Sequence, residues 1–353
     1  VYISDLAAWC KINFENEYAN PLARYGSKLY VDGVLVTDLK IPDGITEIKP
    51  YSFYGLDSMT SLTLPNNVTT IGDSAFSGCS GLTSLSIPNS VTTIGNGAFS
   101  YCSGLTSLAI PNNVTTIGGS AYYGCSGLTS LTLSSSVTMI GDSAFSGCFG
   151  LTSLAIPNSV TTIGNSAFSY CSGLTSLAIP NSVTTIGNSA FSYCSSLTSL
   201  SIPNSVITIE SSAFFNCIGL EAVVIGRNVT TIGYEAFYSY ESNITRVDIL
   251  ALTPPDYEDI YGMFNNTVYN DAVLSVPTGS LEAYRAADGW KWFKNIQEKD
   301  FGGVDGVEDD AVSIAVNGGS IEIAGADNAR VEVYNLSGQL VYSGTETTVG
   351  GLS

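Results

Sequence analysis

The sequence predicts a repeat protein: a solenoid made mostly of short β-strands with brief helical or 3₁₀ turns, followed by a small all-β domain. Apolar residues recur at a fixed step of 23 residues over most of the chain. One copy is too short to bury its own apolar side chains, so neighbouring copies must stack. Beyond residue 310 the repeat is absent, and apolar and polar residues alternate, which indicates the strands of a separate domain.

Three series of apolar residues keep this step through nine copies, here called rungs. One series is aromatic, one is isoleucine, and one is leucine except for its last member. The strict register places equivalent side chains above one another, as a stacked core requires. The series are Phe53, Phe76, Phe99, Tyr122, Phe145, Phe168, Phe191, Phe214 and Phe237; Ile48, Ile71, Ile94, Ile117, Ile140, Ile163, Ile186, Ile209 and Ile232; and Leu39, Leu62, Leu85, Leu108, Leu131, Leu154, Leu177, Leu200 and Val223.

The rung that begins at Leu82 shows how one unit is built. Residues 82–87 predict a short strand that ends at a proline turn, and residues 91–94 predict a second extended piece. We expect Gly95 to form a tight turn with a positive φ. Residues 98–99 then begin a brief helical or 3₁₀ turn that places a phenyl ring in the core.

The unit LxxLxIPxSVTxIGxxAFxxCxx, which covers residues 36–247, resembles the BspA-like leucine-rich repeat of bacterial surface proteins. The resemblance implies a leucine-rich-repeat solenoid in an exported, adhesin-like protein. It also implies attachment to host matrix proteins, other bacteria or surface polymers, without catalysis.

Seven of the eight cysteines follow the 23-residue step. Their number is odd, and stacked side chains point the same way, which makes the disulfide torsion hard to reach between neighbouring rungs. We therefore expect a ladder of buried thiols that pack as small apolar residues; some disulfide, or a metal site, is the alternative. Cys10 lies outside the ladder, which consists of Cys79, Cys102, Cys125, Cys148, Cys171, Cys194 and Cys217.

The ends of the solenoid predict caps, because an open apolar core must be covered. Residues 1–35 form the N-terminal cap and residues 248–299 the C-terminal cap. In the second cap, residues 273–276 predict one last strand, and Ser280 is the N-cap of a helix that runs to Ala287. Its aromatic cluster closes the core, with an aromatic binding patch as the alternative. Residues 300–310 are acidic and glycine-rich, which is typical of a linker.

Residues 311–353 predict a β-sandwich-like domain. Residues 331–334 and 340–342 are strands joined by a turn at 335–338. The run VEVYNLSGQLVYSG is similar to the C-terminal sorting domain of Bacteroidetes-type bacteria, which implies export or surface attachment. That family continues with a further Gly-x-Tyr strand where this sequence ends at 350–353, so we expect an incomplete domain.

The composition excludes several classes of function. The chain has no histidine, which excludes Ser-His-Asp triads, HExxH zinc helices and imidazole proton switches. It has 12 Lys+Arg against 31 Asp+Glu, a net charge of −19, so nucleic acid is not a partner. No apolar run reaches the ~18 residues of a membrane span. The sequence starts at Val1 without the pattern of an export signal, so we expect that a signal has been removed. We also expect a monomeric protein that is secreted or on the cell surface.

The repeats offer little to an active site. Between residues 50 and 226 there are five carboxylates and no Lys or Arg. Asp73 and Asp142 occupy one repeat position without signs of a cleft, and the serines that follow them are expected to cap the short helical turn. We therefore predict no enzyme activity, no cofactor and no metal.

The candidate binding residues are Tyr101, Tyr123, Tyr170 and Tyr193, here called the tyrosine edge. The strand face carries small residues without anchors, whereas tyrosine gives a large contact area at low entropic cost. The edge is therefore predicted to contact a protein or a glycan; alternatively, the rings only shield the rungs. For the whole molecule the alternatives are a passive structural spacer and an accessory protein of glycan use.

Overall fold

The computed structural model describes residues 1–24, 27–257 and 262–301, together with five strands between residues 313 and 350. The chain divides into two compact units, Val1–Lys299 and Asp300–Ser353. Most of the predicted acidic linker (302–310), the turn at 335–338 and residues 351–353 lie outside the described residues. The domain boundaries given above therefore stay predictions.

The first unit is a β-solenoid in which a parallel sheet of ten short strands runs across the rungs. Each strand pairs in register with the equivalent strand one rung later, so Ile117 lies opposite Ile94 and Ile140 opposite Ile117. This sheet consists of Glu47–Ile48, Thr70–Ile71, Thr93–Ile94, Thr116–Ile117, Met139–Ile140, Thr162–Ile163, Thr185–Ile186, Thr208–Ile209, Thr231–Ile232 and Asp256–Tyr257.

A second row of parallel strands carries the leucine series. Leu108 lies opposite Leu131, with exposed residues on both sides of each leucine. The row is divided into sheets of three, two, two and five strands: Asp38–Lys40, Ser61–Thr63 and Ser84–Leu85; Ser107–Ala109 and Ser130–Thr132; Ser153–Ala155 and Ser176–Ala178; Ser199–Ser201, Ala222–Ile225, Arg246–Ile249, Val273–Pro277 and Asn295–Lys299.

The strand predicted at residues 273–276 is confirmed as Val273–Pro277, but the prediction that it is the last strand of the solenoid is wrong. Asn295–Lys299 adds one more parallel strand, with Leu274 opposite Ile296. A buried carboxylate helps to hold this strand in place, because Lys299 Nζ donates to Asp248 Oδ2 at 2.8 Å.

The predicted helical segment of each rung is a series of turns. Backbone bonds span three residues, as in a 3₁₀ helix; for example, Cys102 N donates to Phe99 O at 3.3 Å. Residues with a positive φ interrupt the segment in every full rung, which prevents regular helix.

Gly95 does not have the positive φ that the sequence predicts. A Cβ at this position would lie 2.5 Å from Asp73 Oδ1 and 2.7 Å from Asp73 N, on the preceding rung. The position therefore requires glycine because two backbones approach closely. The left-handed conformation falls two residues later, at Gly97.

The aromatic series forms a continuous stack through the core. Successive ring centroids are 5.2 to 5.6 Å apart with nearly parallel planes. The stack continues past the repeats, since Phe264 lies 5.3 Å from Phe237. Because these rings are buried and shared between rungs, each rung is stabilised by its neighbours.

The N-terminal segment covers the first rung. It contains helix α1 (Leu6–Trp9), 3₁₀ turns at Glu17–Ala19 and Pro21–Ala23, and strands Tyr2–Ile3, Tyr30–Val31 and Val34–Leu35. The buried Trp9 donates its indole N–H to Ser52 O at 3.0 Å. Asn20 donates to the carbonyl groups of Tyr51 and Ser52. These bonds satisfy carbonyl groups at the open end of the core.

The C-terminal segment of the same unit contains helices α2 (Asn266–Asp271) and α3 (Leu281–Ala286). Two buried aromatic side chains donate hydrogen bonds to backbone carbonyl groups of this segment. Trp290 Nε1 donates to Pro255 O at 3.0 Å, and Tyr284 Oη donates to Ala251 O at 2.7 Å. Ser280 occupies the N-cap of α3, but its hydroxyl donates to Pro277 O instead of capping the helix.

The described residues of the second unit form five strands, and these strands pair antiparallel. Val331–Tyr334 and Leu340–Gly344 form a hairpin at the place that the alternating pattern predicts. Ser313–Asn317, Ser320–Ala324 and Thr348–Gly350 form a three-stranded sheet. The β-sandwich packing and the sorting role of this segment stay predictions.

Candidate functional site

The four tyrosines of the edge lie at two neighbouring positions of the rung. Tyr101, Tyr170 and Tyr193 are equivalent to one another, and Tyr123 belongs to the preceding position. In five of the other six rungs the first position is occupied by residues that accept a left-handed backbone, namely Gly55, Gly78, Gly124, Gly147 and Asn216; the last rung has Ser239 there.

The backbone at the three equivalent tyrosines is left-handed. Their φ values are 58°, 59° and 60° for Tyr101, Tyr170 and Tyr193. A bulky residue rarely adopts this conformation, which costs on the order of 1–3 kcal/mol. The chain therefore places three large side chains where its own repeat ordinarily uses glycine.

The structure brings the four tyrosines together as two pairs. Tyr101 packs edge-on against Tyr123 with ring centroids 5.2 Å apart, and Tyr170 stacks on Tyr193 at 4.4 Å. One rung lies between the pairs, and it has Gly147 at the tyrosine position and Ser146 at the Tyr123 position. The edge is thus two aromatic groups separated by one rung that has no aromatic residue at either position.

Three further aromatic residues extend the second group, and the sequence analysis missed them. Phe215 packs against Tyr193 at 5.6 Å, Tyr238 stacks on Phe215 at 6.1 Å, and Tyr240 contacts both Phe215 and Tyr238 edge-on. The signal was present, because Phe215 and Tyr238 keep the 23-residue step of the Tyr123 position.

Much of this aromatic surface is exposed. Tyr101 is 57% exposed, Tyr170 46% and Tyr240 73%, while Tyr123 and Tyr193 are half-buried. Desolvation and the neighbouring Tyr123 phenol raise the pKa of Tyr101, and desolvation and Tyr170 raise the pKa of Tyr193. The phenols of Tyr101 and Tyr193 are therefore neutral hydrogen-bonding groups at physiological pH.

The strand face carries no comparable anchor. Its exposed threonines bond to the preceding rung: Thr83 Oγ1 donates to Thr60 O and Thr106 Oγ1 to Thr83 O, each at 3.3 Å. The other exposed residues of this face are small, such as Ser107 and Ala109. These side chains support the stacking of the rungs, and the face stays flat and uniform.

The seven cysteines of the ladder are buried, and each thiol donates to the backbone carbonyl of an aromatic-ladder residue of the preceding rung. Cys125 Sγ, for example, lies 3.3 Å from Phe99 O. Burial raises the pKa of Cys125 and of Cys171 to about 12. Since the thiolate is the reactive form, this environment opposes nucleophilic and metal-binding roles. Among the described residues, no group of three His, Cys, Asp or Glu side chains is arranged to hold a metal ion.

The carboxylates of Asp73 and Asp142 each accept a hydrogen bond from the backbone of the next rung. Asp73 Oδ1 accepts from Asn96 N, and Asp142 Oδ1 from Asn165 N, each at 2.7 Å. The expected cap by the following serines is wrong, because Ser74 and Ser143 have positive φ values and lie within turns, not at the start of a helix. The position does not form a carboxylate pair, since the two aspartates stand three rungs apart.

The fold and the uniform stacking define a leucine-rich-repeat solenoid, a class of proteins built around an extended repetitive surface. The family model described as "BspA type leucine rich repeat region" matches six copies, over residues 26–152 and 115–245. The chain belongs to this family, which is one of bacterial surface proteins. No helix in the described part of the chain combines the length and apolar character of a membrane span.

Two solved structures illustrate the likeness. A leucine-rich repeat protein from Bacteroides ovatus is 24% identical, with a TM-score of 0.58, over 76% of this chain and 74% of that one. It supports the fold. A leucine-rich cell surface protein from Faecalibacterium prausnitzii is 28% identical over 76% of this chain and 80% of that one, with a TM-score of 0.46. No curated protein matches the chain.

Proposed function

We propose that the protein is a non-catalytic, adhesin-like binding protein of the bacterial surface, and that its tyrosine edge contacts a protein or glycan partner. The observation that carries the proposal is the left-handed backbone of Tyr101, Tyr170 and Tyr193. Strain of this kind is typical of functional sites. The exposed rings regain little of its cost by burial, so folding stability alone does not account for them.

Shielding of the rung edge explains the tyrosines less well. The Tyr101 ring does lie over Gly124, whose Cβ would be 2.8 Å from Tyr101 Cδ1. At the next rung, however, the Gly147 Cβ position faces Gly124 Cα at 3.4 Å, without any side chain between them. The edge therefore packs at ordinary van der Waals distance without a ring.

The test is retention of the full chain on an array of immobilised host proteins and glycans. The variant is Tyr101→Gly, Tyr123→Ser, Tyr170→Gly and Tyr193→Gly, called the edge variant, in which each position receives a residue that equivalent positions already carry. We expect the wild-type chain to be retained by at least one array partner and the edge variant to lose that retention.

The matched control is Tyr2→Ser, which removes a tyrosine that is 75% exposed in the N-terminal segment. This variant should be retained like the wild type. If the edge variant and the wild type are retained equally, the tyrosine edge is not the binding surface.

A passive spacer is the second candidate, and the uniformity of the rungs favours it. Nine equivalent strands in one parallel sheet and a continuous aromatic stack give a regular array of similar interfaces. A spacer predicts that no component of the array retains the wild-type chain.

A further inference from the structure

We propose that a cleft at the C-terminal end of the solenoid binds a neutral oligosaccharide. This cap cleft has a volume of about 680 Å³ and opens where the last repeat meets helix α2 and the segment after α3. Such a volume suits a small ligand or a few sugar units. The residues on which the argument depends are Tyr238, Tyr269, Trp292, Glu235, Asn270 and Lys294.

An aromatic wall of fixed orientation lines the cleft, and its accessible part is the Trp292 ring, because Tyr269 and Tyr257 are buried. The Trp292 ring is half-buried and lies edge-on to Tyr269, with centroids 5.5 Å apart, and edge-on to Tyr257 at 6.4 Å. Tyr269 is itself held by a bond from Phe264 N to its hydroxyl oxygen at 3.3 Å. The C–H face of a sugar ring packs on such a preorganised aromatic surface at little entropic cost.

Polar groups of both hydrogen-bonding types surround this wall. Asn266 and Asn270 are exposed one helical turn apart on α2, so they lie on the same face. Lys291 and Lys294 supply donors, and Glu235 supplies acceptors. Vicinal sugar hydroxyls, which both donate and accept, match this mixture.

The charges of the cleft balance, which favours a neutral ligand over an ionic one. Lys291 is paired with Asp288 in a salt bridge. Glu235 offsets Lys294 within the lining. A cleft that selected anionic sugars would need an excess of unpaired cations, and this lining does not provide it.

Glu235 is itself a departure from the repeat. It occupies a left-handed position, with φ of 51°, where the five preceding rungs carry serine with nearly the same φ. The serines are Ser120, Ser143, Ser166, Ser189 and Ser212. The fold accepts serine there, so the carboxylate that lines the cleft is an addition at a strained backbone position.

The aromatic surface continues outward from the cleft. Tyr238 lines the cleft and also packs edge-on against the exposed Tyr240 at 5.8 Å. A ligand longer than one sugar unit therefore meets further rings as it leaves the cleft. This continuity favours an oligosaccharide or the end of a polysaccharide over a single sugar.

The experiment is native electrophoresis of the full chain through gels that contain soluble mannan, xylan, dextran or mixed-linkage β-glucan, with polygalacturonate and hyaluronan as acidic comparators. We expect at least one neutral polymer to retard the chain. The retardation should not change between about 0.05 M and about 0.5 M salt, since screening weakens only charge-driven binding.

The cleft variant combines Glu235→Ser with Asn270→Ala, two changes outside the buried core. Loss of two hydrogen-bonding groups should weaken the apparent affinity for that polymer at least about tenfold. The edge variant should keep wild-type retardation, which separates this site from the tyrosine edge. Circular dichroism and urea unfolding verify that each variant is folded.

Three outcomes would overturn the proposal: no retardation by any neutral polymer, retardation that is confined to acidic polymers and sensitive to salt, or equal retardation of the wild type and the cleft variant. Loss of retardation in the edge variant alone would move glycan binding to the tyrosine edge, so the two proposals fail separately.

Discussion

At the scale of single residues, Tyr122 replaces phenylalanine in the buried ring stack. The Tyr122 ring stacks on the rings of Phe99 and Phe145, with centroid distances of 5.5 and 5.4 Å, as in the rest of the stack. Its hydroxyl is buried without a hydrogen-bond partner among the described residues, and burial raises the Tyr122 pKa well above its usual range. The rung thus contains a desolvated polar group that the stack does not require.

We predict that Tyr122→Phe stabilises the protein by about 1–2 kcal/mol, because an unsatisfied buried hydroxyl is removed without loss of ring packing. The measurement is the free energy of unfolding in urea. The converse change Phe145→Tyr, in the next rung, should destabilise it by a similar amount. Equal stability of Tyr122→Phe and the wild type would contradict the described environment of this hydroxyl.

Two adjacent glycines offer a second test at this scale. A Cβ on Gly118 would lie 2.7 Å from Ile94 O and from Gly95 C, whereas on Gly119 the nearest atom would be Asn96 Oδ1 at 3.3 Å. We predict that Gly118→Ala costs about 1–3 kcal/mol through overpacking of the backbones. Gly119→Ala should stay within about 1 kcal/mol of the wild type. If urea unfolding gives the two variants equal stability, close backbone approach is not what selects glycine at position 118.

At the scale of elements, the buried thiol ladder causes the free energy of unfolding to fall as the pH becomes alkaline. The folded pKa of Cys125 and of Cys171 is about 12, whereas an unfolded cysteine has a pKa near ~8.5. The unfolded chain therefore loses these protons first as the pH rises. The contribution of these thiols to the free energy of unfolding is complete below about pH 8. Above that pH it falls by about 1.4 kcal/mol per pH unit for each thiol, up to the folded pKa.

We predict that the free energy of unfolding is flat across neutral pH with respect to these thiols and declines above about pH 9. Cys171→Ala should lower stability at pH 7 through a small cavity, but its decline with pH should be shallower by about 1.4 kcal/mol per unit. Urea unfolding at several pH values measures both slopes. An unchanged slope in Cys171→Ala would mean that this thiol is not protected by burial.

Most of the solenoid could be predicted from the sequence, because one set of side chains recurs at one step and any error in register would expose the whole core. The final strand, Asn295–Lys299, was missed since four of its five residues are exposed and show no apolar alternation. The positive φ was assigned to Gly95 instead of Gly97, because composition does not separate a glycine needed for close approach from one needed for its dihedral angles.

The sites were harder to predict than the fold. The tyrosines stood out against the repeat, but their left-handed backbone depends on the path of the chain within the rung. The cap cleft brings Glu235, Asn270 and Lys294 together from separate segments, and only the tertiary fold makes them neighbours. The sequence therefore indicated the edge, whereas for the cleft it indicated only the aromatic cluster of the C-terminal cap, to which Trp292 belongs.

At the scale of the whole molecule, identical rungs build a stable and chemically uniform array, and specific contacts can arise only where a rung departs from the repeat. The edge variant removes four such departures while it keeps the residues of the ring stack. The backbone strain relieved by glycine offsets part of the lost ring contacts. The edge variant should therefore remain folded, in contrast to Phe168→Ala, which should cost about 3–5 kcal/mol.

The most direct test of the account is retention of the full chain on immobilised proteins and glycans, measured for the wild type and for the edge variant after urea unfolding has verified that the variant is folded. The account predicts that retention of the edge variant falls to background while its free energy of unfolding stays within about 2 kcal/mol of the wild type. Retention equal to that of the wild type, or a loss of stability as large as that of Phe168→Ala, would contradict it.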